Sequence, residues 1–290
     1  MATDTAELLK KVRRIELKTK GLSNQIFSGE YHSAFKGRGM AFSEVREYAV
    51  GDEVRTIDWN VTARFGHPFV KIFEEERELT VILVVDVSAS DSFGTKEQIK
   101  KSLITEICAV LAFSAITNND KIGVIFFSNK VEKFISPKKG KSHILRIIRE
   151  LLEFKPDEQG TNISEALRFL NNVVKKRSIA FLITDFMDRN YEDALKLANR
   201  KHDLVALRIH DRREMEMPNV GLVRFYDPES GAQKWVNTSS KKVRESYRLA
   251  AQDRIAKADS ACRRAGVDTA AIATDESYIQ PLRNLFSKRS

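Results

Sequence analysis

Three short stretches hold residue types from which a metal site can be assembled: "DVSAS" at 86–90, "GTNISEAL" at 160–167 and "ITDF" at 183–186. In the first, a carboxylate and two hydroxyls recur at alternate positions, Asp86, Ser88 and Ser90. Alternate residues of an extended segment point to one side, so the three can converge. The second stretch supplies Thr161, and the third Thr184 and Asp185. All are hard oxygen donors. Magnesium takes six such oxygens at about 2.1 Å, keeps several waters and is commonly held by one or two carboxylates, so the set suits Mg2+ or Mn2+. Each stretch alone has a commoner structural use, because Ser, Thr, Asn and Asp behind strands serve as caps and turn residues.

The elements that must position these residues follow from hydrophobic periodicity. "LTVILVVD" at 79–86 is a continuous aliphatic run that ends on the aspartate, and further strands are expected at 121–127, 131–135, 179–184, 204–209 and 268–272. Between and beyond them, helices are expected at 96–117, 141–153, 163–175, 191–200, 241–264 and 277–286, with two short strands at 223–226 and 233–236. Runs rich in Val, Ile and Leu, separated by helices, predict a mostly parallel sheet covered on both faces, a doubly wound α/β fold. In such a sheet ligands bind outside the carboxyl ends of the strands, near the point where the winding reverses. Asp86 and Asp185 fall at such ends, and Thr161 falls in the loop that starts the helix at 163–175. Asp91, directly behind the first stretch, either adds negative charge near the ion or caps the next helix; Asp188, His210 and Asp211 follow strands at the same edge and are candidates for a rim that touches a partner, or plain solvent-facing loop residues.

Before residue 79 the chain reads differently. A basic helix at about 4–19, with Leu8, Val12 and Ile15 on one face, is followed by a Gly-rich stretch and a segment of strand-like spacing punctuated by Gly51, Gly66 and Pro68. Residues 1–78 are therefore expected to form a basic helix and a small β-rich part, and residues 79–290 the α/β domain. Arg46, Asp52, Arg55, Asp58 and Arg64 are expected to pair and pack around a buried Trp59.

The order "DVSAS", "GTNISEAL", "ITDF" on this predicted fold resembles the metal-ion-dependent adhesion site of von Willebrand factor A domains. The resemblance implies that Asp86, Ser88, Ser90, Thr161 and Asp185 hold the ion, Asp185 through water, with one position left for an acidic residue of a partner. The segment "FKGRG", "EVREY", Gly51 with Asp52, "IDWN" and "EEERE" is similar to the bacterial DUF58 family, von Willebrand factor A-like proteins with a preceding β-rich part. Members commonly accompany MoxR-type AAA+ ATPases, which implies such an ATPase, or its client, as the protein partner. Many relatives carry membrane helices ahead of this region, whereas no run in this chain nears the roughly 18 apolar residues of a span, so peripheral membrane association is the form left open.

Composition limits the alternatives. The 290 residues are 42% hydrophobic and 31% charged, ordinary globular usage. The net charge of +9 is scattered over helix faces and turns without interleaved aromatics, so no nucleic-acid partner is expected. Two cysteines without a close spacing, and no secretory leader pattern, point to the reducing cytoplasm. "KKGKSH" ends like a P-loop, but Ile135 stands where the first glycine must be. The five histidines show no zinc-ligand spacing. The expected protein is a non-enzymatic, metal-dependent binding module; a Mg2+-dependent phosphohydrolase and a basic adaptor on a nucleic-acid or membrane surface are the alternatives.

Overall fold

The structure is a computed structural model that describes residues 12–15, 40–75, 78–88, 97–156, 160–226 and 233–289. Contacts divide the chain into two units, one spanning Lys36–Leu79 and the other comprising Met1–Phe35 with Thr80–Ser290.

In the smaller unit, β1 (Met40–Glu47) pairs antiparallel with β2 (Phe69–Glu75), with a register shift between Phe42 and Glu44. Between them lie a single 3-10 turn, Val54–Thr56, and α1 (Trp59–Phe65). The Asp58 carboxylate starts α1 by accepting the Asn60 and Val61 N–H groups, and Gly66, at φ +77°, ends it in the left-handed conformation that favours glycine. Arg46 grips Asp52 with two bonds of 2.7 Å, and Asp58 lies 3.4 Å from Lys71. Trp59 is not buried as expected but 66% exposed. A two-turn helix beside a two-stranded ribbon has too little interior to cover an indole.

The larger unit is built on a six-stranded sheet. In chain order its elements are β3 (Thr80–Asp86), α2 (Glu97–Thr117), β4 (Lys121–Phe127), β5 (Val131–Lys138), α3 (Lys141–Glu153) and α4 (Ile163–Val173). They continue with β6 (Ile179–Thr184), α5 (Glu192–Lys201), β7 (Asp203–His210), the short α6 (Arg212–Met215), the hairpin β8 (Leu222–Tyr226) and β9 (Gln233–Asn237), α7 (Lys241–Ala265), β10 (Asp268–Ala273) and α8 (Ile279–Ser287). The strand order is β10-β7-β6-β3-β4-β5, parallel except for the antiparallel pair β4 and β5. The fold is α/β with a mostly parallel, helix-covered sheet. Val81 to Val85 are fully buried, as a strand covered on both faces requires. From β3 the chain winds outward through β4 and β5, then returns to pair β6 on the other side of β3. The winding therefore reverses between β3 and β6, where Asp86 and Asp185 emerge.

Of the expected basic helix, residues 12–15 are described; they are helical, with Val12 and Ile15 buried and Arg13 and Arg14 exposed. The strand expected to end at residue 135 runs on to Lys138. Pro137 is tolerated because β5 is the sheet edge. The "KKGKSH" stretch joins β5 to α3, and the His143 Nε2 lies 2.9 Å from the Ile122 carbonyl, a packing role. Cys108 and Cys262 are buried in α2 and α7, where burial raises both thiols, Cys262 to about 12.

The close approach of β4 and β5 depends on Gly123. A Cβ there would stand 2.8 Å from the Ile135 carbonyl oxygen and 2.9 Å from the Pro137 nitrogen, both backbone atoms that cannot yield alone. Gly123→Ala is expected to lower stability by about 1–3 kcal/mol, read as a drop in the urea midpoint at unchanged slope.

Candidate functional site

Asp86 closes the central strand with only 6% of its surface exposed. Its Oδ1 accepts the Ser88 N–H at 3.0 Å, and its Oδ2 accepts the Thr184 hydroxyl at 2.6 Å. Sheet register makes the second bond possible, because Val85 pairs with Ile183 and the next residues of both strands are then level. Burial, and then the neighbouring charge of Asp185, push the Asp86 carboxyl up to about 7 against the pull of these hydrogen bonds. Ser88 is itself 2% exposed.

Asp185 leaves β6 on a sharply turned backbone. Phe186 has φ +60°, unusual for an aromatic residue, and is held there by burial and by its ring 5.5 Å from that of Tyr191. The Phe186 N–H donates to the Thr184 hydroxyl, and the Met187 N–H donates to Asp185 Oδ1 at 3.0 Å. The other oxygen, Oδ2, accepts from the Lys100 ammonium at 2.8 Å. That ammonium also lies 3.4 Å from Glu214 Oε1.

Thr161 sits in a loop tied down on both flanks of β3. The Asn162 N–H donates to the Ser128 carbonyl, just beyond β4, and the Ile163 N–H donates to Asp188 Oδ2, just beyond β6, each at 2.8 Å. Residues 160–163 therefore pass over the carboxyl end of the central strand. Asn162, not Thr161, caps α4, by accepting the Glu165 N–H. That leaves the Thr161 hydroxyl free of capping duty; it is buried and has no hydrogen-bond partner among the described residues. Such an atom is costly to bury unless something else engages it.

The structure thus brings Asp86, Ser88, Thr161 and Asp185 to one strand-end region, while Ser90 and Asp91 lie outside the described residues. The donor set fits a hard cation: a buried carboxylate poorly stabilised as an anion, a second carboxylate beside it, and a buried hydroxyl without a partner. No group of three or more His, Cys, Asp or Glu side chains suited to a metal gathers among the described residues, so hydroxyl oxygens would have to complete the shell. Two rim candidates serve as caps. Asp188 holds the start of α4, and Asp211 starts α6 in a reciprocal capping box with Glu214 while accepting the Thr274 hydroxyl at 2.8 Å. The half-buried His210 keeps a buried Nδ1 without a partner among the described residues.

Lys100 and Glu214 were not among the expected site residues. Lys100 carried a readable signal, since it lies three, four, seven and eleven residues before the buried Leu103, Ile104, Ile107 and Leu111, on the helix face turned to the sheet. Glu214 had none: a four-residue helix shows no periodicity.

Residues 44–257 match the family described as "Protein of unknown function DUF58". The Mycobacterium tuberculosis protein Rv1480, described as uncharacterized, is 27% identical over 289 residues, 99% of this chain and 91% of its own length. An aerotolerance-related membrane protein from Bacteroides fragilis is similar with a TM-score of 0.48 at 16% identity, over 72% of this chain and 99% of that one. The manganese-loaded TRAP protein of Plasmodium vivax is similar with a TM-score of 0.35 at 20% identity, over 45% of this chain and 57% of that one.

The raised carboxyl of Asp86 makes metal-free stability depend on pH. Below its ordinary value of 3.8 the group is protonated folded or unfolded; between there and about 7 the folded chain holds the extra proton, so stability falls as pH rises. In the presence of a chelator, the urea midpoint is expected to be higher near pH 5 than near pH 8, and Asp86→Asn is expected to flatten that difference.

Proposed function

The chain belongs to the DUF58 family, and on that premise, with the oxygen-lined strand end, we propose that it is a non-enzymatic protein-binding module that works through a divalent cation. Asp86, Ser88, Thr161 and Asp185, with Ser90, would hold a Mg2+ or Mn2+ ion. The ion would supply a positive centre with a coordination position for an acidic side chain of the partner. The observation that carries this reading is the buried Thr161 hydroxyl, without a partner among the described residues, in a loop tied across the end of the Asp86 strand.

The chain's own groups favour holding over catalysis. Both oxygens of Asp86 accept hydrogen bonds, from Ser88 and Thr184, and both oxygens of Asp185 do so from Met187 and Lys100. These bonds fix the orientation of each carboxylate and leave further lone pairs on its oxygens, which suits a ligand of set geometry. Asp188 and Asp211 fix the loops around the site. From the family resemblance, the proposed partner is a MoxR-type ATPase or its client, met in the cytoplasm.

Calorimetric titration of the protein with Mn2+ and with Mg2+ is expected to show saturable binding that Asp86→Ala abolishes. Thr161→Val removes one oxygen ligand and is expected to weaken it about tenfold. Capture of the ATPase should then require the ion and be lost in Asp86→Ala. A folded wild-type chain that binds neither ion would overturn the proposal.

A further inference from the structure

We propose that Lys100 is a built-in counter-cation of the strand-end site: its ammonium holds Asp185 and Glu214 when no ion is bound, and it lowers the affinity with which a divalent ion binds. This inference rests on the metal-binding reading above and adds what sets the strength of that binding.

Lysine is rarely buried, yet the Lys100 side chain is 7% exposed, and its Nζ stands 2.8 Å from Asp185 Oδ2 and 3.4 Å from Glu214 Oε1. An ammonium stays charged in such a place only against anions in contact with it. The Asp185 side chain is 2% exposed and that of Glu214 27%. The stem of Lys100 rises from the face of α2 that buries Leu103, Ile104 and Ile107, so the ammonium reaches Asp185 along a buried path.

The electrostatic consequence has two signs. A divalent cation bound by Asp86 and Asp185 would meet one carboxylate whose charge is already partly compensated, and would be repelled by the ammonium itself. The same positive charge favours an incoming carboxylate, because the loaded site is then less negative. Lys100 thus exchanges ion affinity for affinity toward an acidic ligand. It also explains how Asp185 keeps a fixed geometry in the absence of an ion.

The test is calorimetry with Mn2+ alone on wild type, Lys100→Met, Lys100→Gln and Asp86→Ala, with thermal midpoints measured in chelator and in saturating Mn2+. Both Lys100 variants are expected to bind Mn2+ about tenfold more tightly than wild type. They should melt lower in chelator and gain more from Mn2+. Lys100→Gln keeps an N–H for Asp185 and carries the comparison if the Met variant does not fold; folding of Lys100→Met only with Mn2+ also supports the proposal. Folded variants whose Mn2+ affinity equals or falls below that of wild type would overturn the counter-cation role while leaving the metal site standing. No Mn2+ binding to any of the folded proteins would overturn both, and binding that survives Asp86→Ala would place the ion elsewhere and do the same.

Discussion

A carboxylate almost wholly withdrawn from water at the end of the central strand governs the larger unit. The run Val81 to Val85 has no polar face, so β3 can only be an inner strand, and the winding reverses beside it. That position fixes where Asp86 emerges, 6% exposed. An ionised carboxylate in such surroundings loses several kcal/mol of solvation that its neighbours must offset. The chain offers the Thr184 hydroxyl and the Ser88 amide, and these leave the Asp86 carboxyl raised to about 7. The unsatisfied remainder is what would make the proposed site receptive to a cation. Polar groups that fully neutralised one another would have left a structural knot with nothing to bind.

The same constraint explains the loops. With β6 level with β3, Asp185 emerges beside Asp86, and two adjacent carboxylates repel. The left-handed turn at Phe186 and the hydrogen bond from Met187 hold Asp185 in place, and Lys100 removes much of its cost. Asp188 and Asp211 then act one step further out, by starting α4 and α6 and so fixing the loop that holds Thr161 and the turn that holds Glu214.

Much of this was legible in the chain before the structure. Apolar runs and helical spacing defined the α/β architecture, because inner parallel strands have the least ambiguous composition. The strand-end positions of Asp86 and Asp185 were legible because the aliphatic runs before them end there, and that of Thr161 because a helical pattern starts just behind it. What escaped were effects of packing. Trp59 looked like a core residue, yet the unit around it has too little interior among its described residues to receive it. Asp188 and Asp211 read as rim or plain loop residues, and their hydrogen bonds to the backbone at the starts of α4 and α6 show only in the folded geometry. Lys100 was hidden among many lysines, although its place on an apolar helix face set it apart.

The proposed site combines two devices that act in opposite directions on ion binding. The Thr161 loop is held by hydrogen bonds at both flanks, and Asp185 by its own turn, so these two groups would be in position before an ion arrives. That preorganisation strengthens binding. The ammonium of Lys100 would weaken it by supplying positive charge in advance. On the proposed reading, loading would chiefly change the charge around Asp185 and Thr161, whose positions are already fixed. For a module that reads an acidic side chain, a change of charge on a rigid frame is sufficient: the carboxylate is attracted when the ion is present and finds only a half-compensated acidic cluster when it is absent.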